Sequence, residues 1–580
     1  MPAVADSSGA DLSTVGGYLD QVTAGDPLAG FGNDTYWTGK GLGRAARAAE
    51  IADQLGRTAQ RDTLLSAIRT RLTDWFTASS GETGRLFVYN QAWGTLIGYP
   101  ASYGSDAELN DHHFHYGYYI AAAATLAKYD RNWAASNAYG GMVNLLIRDA
   151  NNPDRADTMF PFLRDFDIYA GHDWASGHGS FFAGNNQESS SEGMNFANAL
   201  IQWGIATGNT AVRDAGLYIY TTQAQAIQEY WFDSANQNFP PTFAHNAVGM
   251  VWGDGGAYAT WFSGEPEMIQ GINMLPVTGG SFYMGYRPAY NTVNYNELVT
   301  NNGGSPTVWQ DVLWSFQALG NGDQALANLR ANPGYTPEEG ESRAHTFHWI
   351  RNLAALGTVD TSVTANTPLY AVFTKNGART YAATNLTANP LTVTFSDGRT
   401  LTVPAGKTAT TGAYTWVGGN GTSQPPTSQS PSASPSASAS ASASSFPSAS
   451  PSTSTPLRAR TASTCARAPR CPPPPAAARR PRRSPPPTAT GTATRTTRSR
   501  TARAASPAPR TAPRRSSRCT STPAPPWARA SRPGCRTTSP APAPTAAWRR
   551  TATSPPTRSW ARSSTPSRPA SPRPAAPCRR

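Results

Sequence analysis

The sequence predicts a mainly α protein, a helical barrel whose long loops build a cleft, followed by a short β-hairpin segment and a tail without a core. Three observations carry this. Apolar residues recur at helical spacing through residues 36–357. The joins between those stretches are rich in Gly, Asn, Pro and aromatic residues, and the period changes to alternation after residue 358.

In order along the chain, segment 39–75 places Leu42, Ala45, Ala49, Ile51 and Leu55, then Leu64, Leu65, Ile68, Leu72 and Trp75, at helical spacings. Residues 116–129 are apolar and alanine-rich around 120–126, which predicts a helix buried on most sides. Further helices are expected at 133–148, 193–207, 210–229, 307–319 and 343–356, separated by breaker clusters at 151–153, 184–186, 278–280 and 301–306. Such joins suit a barrel with functional loops better than a tight bundle. Residues 1–357 are therefore expected to form the helical domain. Strands are expected at 369–374, 381–387, 391–395 and 401–403, with hairpin turn chemistry at Asn376-Gly377 and Asp397-Gly398. This 358–417 segment is small for an independent core and is expected to pair with other strands.

Residues 418–457 are Ser/Pro/Ala repeats such as SPSASPSASASASASS, a low-complexity linker. Residues 458–580 contain no Ile, Val, Leu, Met, Phe or Tyr, so a disordered Arg/Pro-rich tail is expected there. Because the residue types of the tail are the ones GC-rich codons specify, a frame shift is expected as its origin, with the lost frame expected to encode a carbohydrate-binding module. Resequencing the gene after about codon 450 tests it.

Charge follows the same division. All 36 acids precede residue 458, whereas 27 of the 49 basic residues are arginines from Arg458 onward, leaving a net charge of −14 on residues 1–457. The formal +13 of the whole chain thus describes no part of it, and a whole-chain case for nucleic-acid binding is excluded. All five cysteines lie in the tail, which excludes a disulfide framework or thiolate metal site in the body. No apolar run approaches the roughly 18 residues of a spanning helix. The first twenty residues, MPAVADSSGADLSTVGGYLD, do not read as a signal peptide.

Two stretches stand out chemically: LNDHHFHYGYY at 109–119, and GHDWASG at 171–177 continuing into GNNQESSSEGMN at 184–195. Glu188 and Glu192 are four residues apart, so a helix opened by the serine run would put both on one face near its positive end. The bland reading is a capping box from Ser189 to Glu192. Asn185, Asn186 and Gln187 beside them supply amides suited to sugar hydroxyls. Asp111 precedes a helix start and reads blandly as an N-cap. A metal site from His112, His113 and His115 is the rival, but the spacing is not the helical His-x3-His and no metal is expected. Trp174, Trp252, Trp261 and Trp309 fall near glycine-rich loops, where rings can stack on sugars, although a single tryptophan is more often core. No P-loop, dinucleotide fingerprint or Gly-x-Ser-x-Gly elbow is present.

Taken in order, YWTGKGL at 36–42, NDHHFHYG at 110–117, GHDWASG at 171–177, NQESSSE at 186–192, GINMLP at 271–276 and HTFHW at 345–349 resemble the signature regions of glycoside hydrolase family 81, the endo-β-1,3-glucanases. The resemblance covers about 36–410 and implies an (α/α)6 barrel that hydrolyses internal β-1,3-glucosidic bonds with inversion. By motif, Asp111 resembles the general acid, Glu188 the general base and Glu192 the neighbouring essential carboxylate. His115, Tyr116, His172, Trp174, Asn186, Gln187 and Trp261 are the substrate-binding candidates. No cofactor is implied. The implied partner is a β-1,3-glucan of laminarin or curdlan type, acted on outside the cell by a monomer, with neither nucleic acid nor membrane as partner. Family members usually carry a β-sandwich domain before the barrel, so an N-terminal truncation is expected, with an exposed sheet edge in 358–417. The stretch GDGG at 253–256 before YATW at 258–261 departs from the family pattern. The competing readings are a catalytically impaired β-glucan-binding protein and a polyanion binder acting through the arginine tail.

Overall fold

The computed structural model describes Met1 and residues 9–412. The expectations for 413–417, the linker 418–457 and the tail 458–580 lie outside the described residues.

The described residues are mainly helical. The first helices are α1 (Ala10–Thr23), α2 (Thr35–Gln54) and α3 (Thr58–Trp75). The expected helical segment 39–75 is thus two helices, parted where Gly56 takes a left-handed φ of 67°. A hairpin of β1 (Leu86–Asn90) and β2 (Thr95–Tyr99) follows, then α4 (His112–Tyr129) and α5 (Gly140–Asn151). Residues 133–139, expected to open α5, form turns instead. Short strands β3 (Phe166–Asp167), β4 (His172–Asp173) and β5 (Asn186–Gln187) lead into α6 (Ser190–Thr207) and α7 (Thr210–Tyr230). Next come β6 (Met250–Trp252), β7 (Gly255–Ala257), α8 (Pro266–Gly271), a 3-10 helix (Gly279–Gly285), α9 (Pro288–Asn301), α10 (Gln310–Ala331) and α11 (Arg343–Leu356). Helix α10 kinks at Asn321, whose φ and ψ are −149° and 83°.

Helix α2 packs on α4, α4 on α6, α6 on the 3-10 segment, that segment on α10, α10 on α11, and α11 back on α2. Helices α3, α5, α7 and α9 pack against α2, α4, α6 and α10 in turn. The core these helices share is lined by Tyr119, Phe196, Trp203, Trp231, Trp314 and Trp349, all at most 1% exposed. Close approach requires small residues at one contact in particular. A Cβ on Gly117 of α4 would lie 3.1 Å from the Phe196 Cα of α6.

After α11, strands β8 (Thr358–Val359), β9 (Tyr370–Lys375), β10 (Ala378–Thr384) and β13 (Thr408–Thr410) form one sheet in the order β13-β10-β9-β8. A separate hairpin joins β11 (Leu391–Thr394) to β12 (Thr400–Val403). Alternation along the strands divides the residues between two faces. Ala371, Phe373 and Ala382 join the helical core, with Phe373 5.3 Å from the Phe282 ring, while Val372, Tyr381 and Ala383 pack with Val393, Phe395 and Val403. The sheet therefore finds its packing partners in the helices and the second hairpin. Among the described residues no helix is long and apolar enough to cross a membrane.

Candidate active site

Asp111 is the residue before α4, and its backbone is left-handed at φ 63°. That conformation is uncommon for a residue with a Cβ. Its carboxylate makes no capping hydrogen bond to the helix, so the bland N-cap role is not what it does. Its backbone N–H donates to the Ala175 carbonyl (2.8 Å), and the Ala175 N–H donates to the Asn186 carbonyl (2.7 Å). Two main-chain bonds thus tie Asp111 to strand β5, which ends one residue before Glu188.

The serine run does open a helix, but Glu188 lies before it, and the two glutamates do not share a helical face as expected. The serines are recruited elsewhere. Ser189 Oγ donates to the Ile272 carbonyl (3.1 Å), Ser190 Oγ to Asn273 Oδ1 (2.8 Å) and Ser191 Oγ to the Leu275 carbonyl. No capping box forms at Ser189. Glu188 instead accepts the Trp261 backbone N–H (2.6 Å) from the loop after β7. Glu192, in the first turn of α6, is 2% exposed and accepts the Tyr118 hydroxyl (2.6 Å). Burial and the neighbouring Glu192 charge together hold the phenol of Tyr36 in α2 well above its ordinary pKa. A charge-assisted bond such as that from Tyr118 offsets the cost of burying a carboxylate.

The carboxylates influence one another. Burial pushes the Asp111 carboxyl up to about 8; the nearby His113 pulls it down, and the charges of Glu192 and Glu188 push it up again. Burial raises Glu188 to about 7, opposed by the Trp261 N–H and reinforced by Glu192. An acid that keeps its proton near neutrality therefore stands close to a second carboxyl that gives its proton up sooner. This is the separation that acid–base pairs need.

The model of the Glycosyl hydrolase family 81 C-terminal domain matches residues 29–350. The chain belongs to glycoside hydrolase family 81. It is 51% identical over 412 residues to the glucan endo-1,3-beta-D-glucosidase of Thermobifida fusca, covering 71% of this chain and 54% of that relative. It is 48% identical over 421 residues to the protein of the same name from Acetivibrio thermocellus, covering 72% and 54%. A solved family 81 structure from Clostridium thermocellum superposes with a TM-score of 0.68 at 47% identity, over 71% of this chain and 57% of that one. The chain spans about half the length of the curated relatives it matches.

In this family 81 chain the remaining expected residues divide. Asn186 is buried and accepts the Trp261 indole N–H (3.2 Å), and Trp261 itself is 58% exposed with its ring 5.3 Å from that of Trp252. Of the atypical GDGG stretch, Gly253 and Asp254 form the turn between β6 and β7, and Gly255 and Gly256 open β7. Gln187 is buried with its amide nitrogen 3.4 Å from His113 Nε2. His115 is buried, with Nδ1 2.7 Å from Thr35 Oγ1 and its ring 5.2 Å from Tyr36; burial holds it well below its ordinary pKa. These four touch Glu188 or a neighbour of the carboxylates: Trp261 bonds Glu188, Asn186 holds Trp261, Gln187 meets His113 and His115 meets Tyr36.

Three others do not. Tyr116 is a core residue whose hydroxyl donates to the Leu96 carbonyl (2.6 Å). His172 packs edge-on against Trp231 at 4.9 Å, and its Nδ1 lies 2.8 Å from the Asp173 carbonyl. Trp174 donates its indole N–H to Asp167 (3.1 Å). The three histidines of the rival metal reading go separate ways. His112 pairs with Asp149 (2.6 Å), His113 lies between Asp165 and Asp173, and His115 meets Thr35.

Sequence reasoning missed Tyr36 and Tyr118 as neighbours of Glu192. A signal for Tyr118 existed: it lies three residues after His115, on the same face of the helix that begins just after Asp111. Tyr36 sits in another helix, and nothing local links it to Glu192.

Proposed function

We propose that the chain is an inverting endo-β-1,3-glucanase, hydrolysing internal bonds of laminarin- or curdlan-like glucans outside the cell. Asp111 protonates the leaving glycosidic oxygen, Glu188 takes a proton from the attacking water, and Glu192, held by the Tyr118 hydroxyl, acts on both through its charge. The observation that carries this reading is the main-chain tie from Asp111 through Ala175 to Asn186. Across that tie the charges of Glu188 and Glu192 both bear on the Asp111 carboxyl. The names of the relatives supply the bond type. The ring of packed helices, with α3, α5, α7 and α9 outside it, supports an (α/α)6 barrel with the site on its loops. No cofactor is needed for this chemistry.

The test incubates the full chain with a linear β-1,3-gluco-oligosaccharide and follows it by proton NMR. Early appearance of the α-anomer is expected. Glu188→Gln is expected to keep its fold and lose about 10²–10⁴-fold in kcat, the usual share of a positioned base. Turnover like the wild type removes Glu188 from the mechanism. Retained glucan binding by a folded wild-type chain without cleavage replaces the enzyme by a glucan-binding protein.

A further inference from the structure

Beneath the carboxylates lies a buried charged cluster that the mechanism above does not use. His113, fully buried in α4, has Nδ1 3.3 Å from Asp165 Oδ2 and Nε2 3.4 Å from Asp173 Oδ2. The Gln187 side-chain amide also stands 3.4 Å from Nε2; its oxygen has no other partner, and turning the amide presents that oxygen to a ring N–H. Asp173 is gripped by Gln223 of α7, whose amide donates to Oδ2 (3.2 Å) while its Oε1 accepts the Asp173 N–H (2.9 Å). Helix α6 touches the same carboxylate: a Cβ on Gly193 would fall 2.3 Å from Asp173 Oδ2.

The sequence positions are what matter. His113 is two residues from Asp111, Gln187 is the neighbour of Glu188, and Gly193 is the neighbour of Glu192. One cluster therefore braces the chain beside each of the three carboxylates. We propose that His113, clasped by Asp165 and Asp173, is the positioning residue that holds these three segments in register and places a positive charge next to Asp111. The proposal rests on the glucanase reading above.

The surrounding charges fit this role. Around His113 stand Asp165 ahead of β3, Asp173 in β4, Gln187 in β5, Phe196 in α6, and Asp111, His112 and His115 at the start of its own helix. Arg164 lies beyond, pairing with Asp165 (3.1 Å) and Asp149 (2.9 Å). Burial works against a charged His113, yet Asp165, Asp173 and Asp111 outweigh it and raise its pKa above the ordinary value. Asp111 in turn is faced by His113, Glu192, Glu188 and Asp165, and His113 is the one that favours its ionised form. Removing that cation raises the pH at which Asp111 loses its proton.

The deciding experiment measures kcat and KM against pH for the full chain and its His113→Gln variant on a linear β-1,3-gluco-oligosaccharide. The expected result is a lowered kcat, a KM within about twofold, and an alkaline limb moved upward by about half a pH unit or more, the direction required when a neighbouring cation is lost. A uniform fall in kcat with the limb in place overturns the proposal, because a merely structural role predicts that. Should His113→Gln not fold, ¹⁵N-histidine NMR of the wild-type chain decides. A His113 midpoint above that of an ordinary imidazole, with both ring nitrogens protonated below it, is the expected state, and a midpoint at or below the ordinary value overturns it. A wild-type chain that cleaves nothing sinks the glucanase reading instead, and the NMR measurement still judges His113 by itself.

Discussion

At the scale of single residues, the site turns on which carboxyl keeps its proton. Glu188 must be ionised to act as base, so activity rises as pH passes upward through its value of about 7. Asp111 must be protonated to act as acid, so activity falls as pH passes through about 8. The expected kcat/KM profile is a narrow bell between those limbs, and a plateau extending well below pH 6 excludes Glu188 as the base. Tyr118→Phe removes the 2.6 Å hydroxyl bond to the buried Glu192. Losing a hydrogen bond to a charged group costs about 1.5–3 kcal/mol, or roughly 10- to 100-fold if it is lost in the transition state. The expected outcome is a fall of that size in kcat with circular dichroism unchanged. The proposed acids could be named from the sequence, because the motif around each is local. Their partners could not: Tyr36, Asp165 and Asp173 come from other elements and share no period with the residues they serve.

At the scale of elements, α4 and α6 carry Asp111 and Glu192 at their starts, and the contact between them sets the distance across the site. Gly117→Ala places a methyl 3.1 Å from the Phe196 Cα, a backbone atom that cannot swing aside. Overpacking of this kind costs about 1–3 kcal/mol. A lower Tm together with a lower kcat is expected, since the helices must part to admit the methyl; unchanged kcat would show that the site tolerates their separation. The helices most legible in the sequence were those with long apolar stripes, such as α4 and α11. Helix α1 was not anticipated, because Gly16 and Gly17 lower its intrinsic propensity. It forms against tertiary partners instead, with Asp11 paired to Arg330 and Arg351 and Gly16 pressed against the Arg57 guanidinium. The hairpin of β1 and β2 was likewise missed. Its register is secured from outside, where Asp149 accepts the Leu96 N–H (2.7 Å) and the Thr95 hydroxyl (2.8 Å).

At the scale of the molecule, the β segment after α11 is joined to the helices through a hydrophobic face rather than a flexible tether. Phe373→Ala empties the centre of that face, and a loss of about 3–5 kcal/mol is expected in denaturant unfolding. A change under 1 kcal/mol would mean that the sheet adds little to the helical body. The period-two pattern announced these strands, but which face met the helices depended on a contact between Phe373 and Phe282 that no local pattern encodes. A different kind of economy governs the link between Asp111 and β5. Asp111, Ala175 and Asn186 are connected through main-chain amides and carbonyls alone. Such a link is blind to the identity of the side chain at its midpoint: serine, valine or glycine at position 175 would leave the same donor and acceptor in place. Only proline, which has no N–H to offer Asn186, cuts it. The main-chain link between Asp111 and β5 thus survives nearly every change of side chain at position 175.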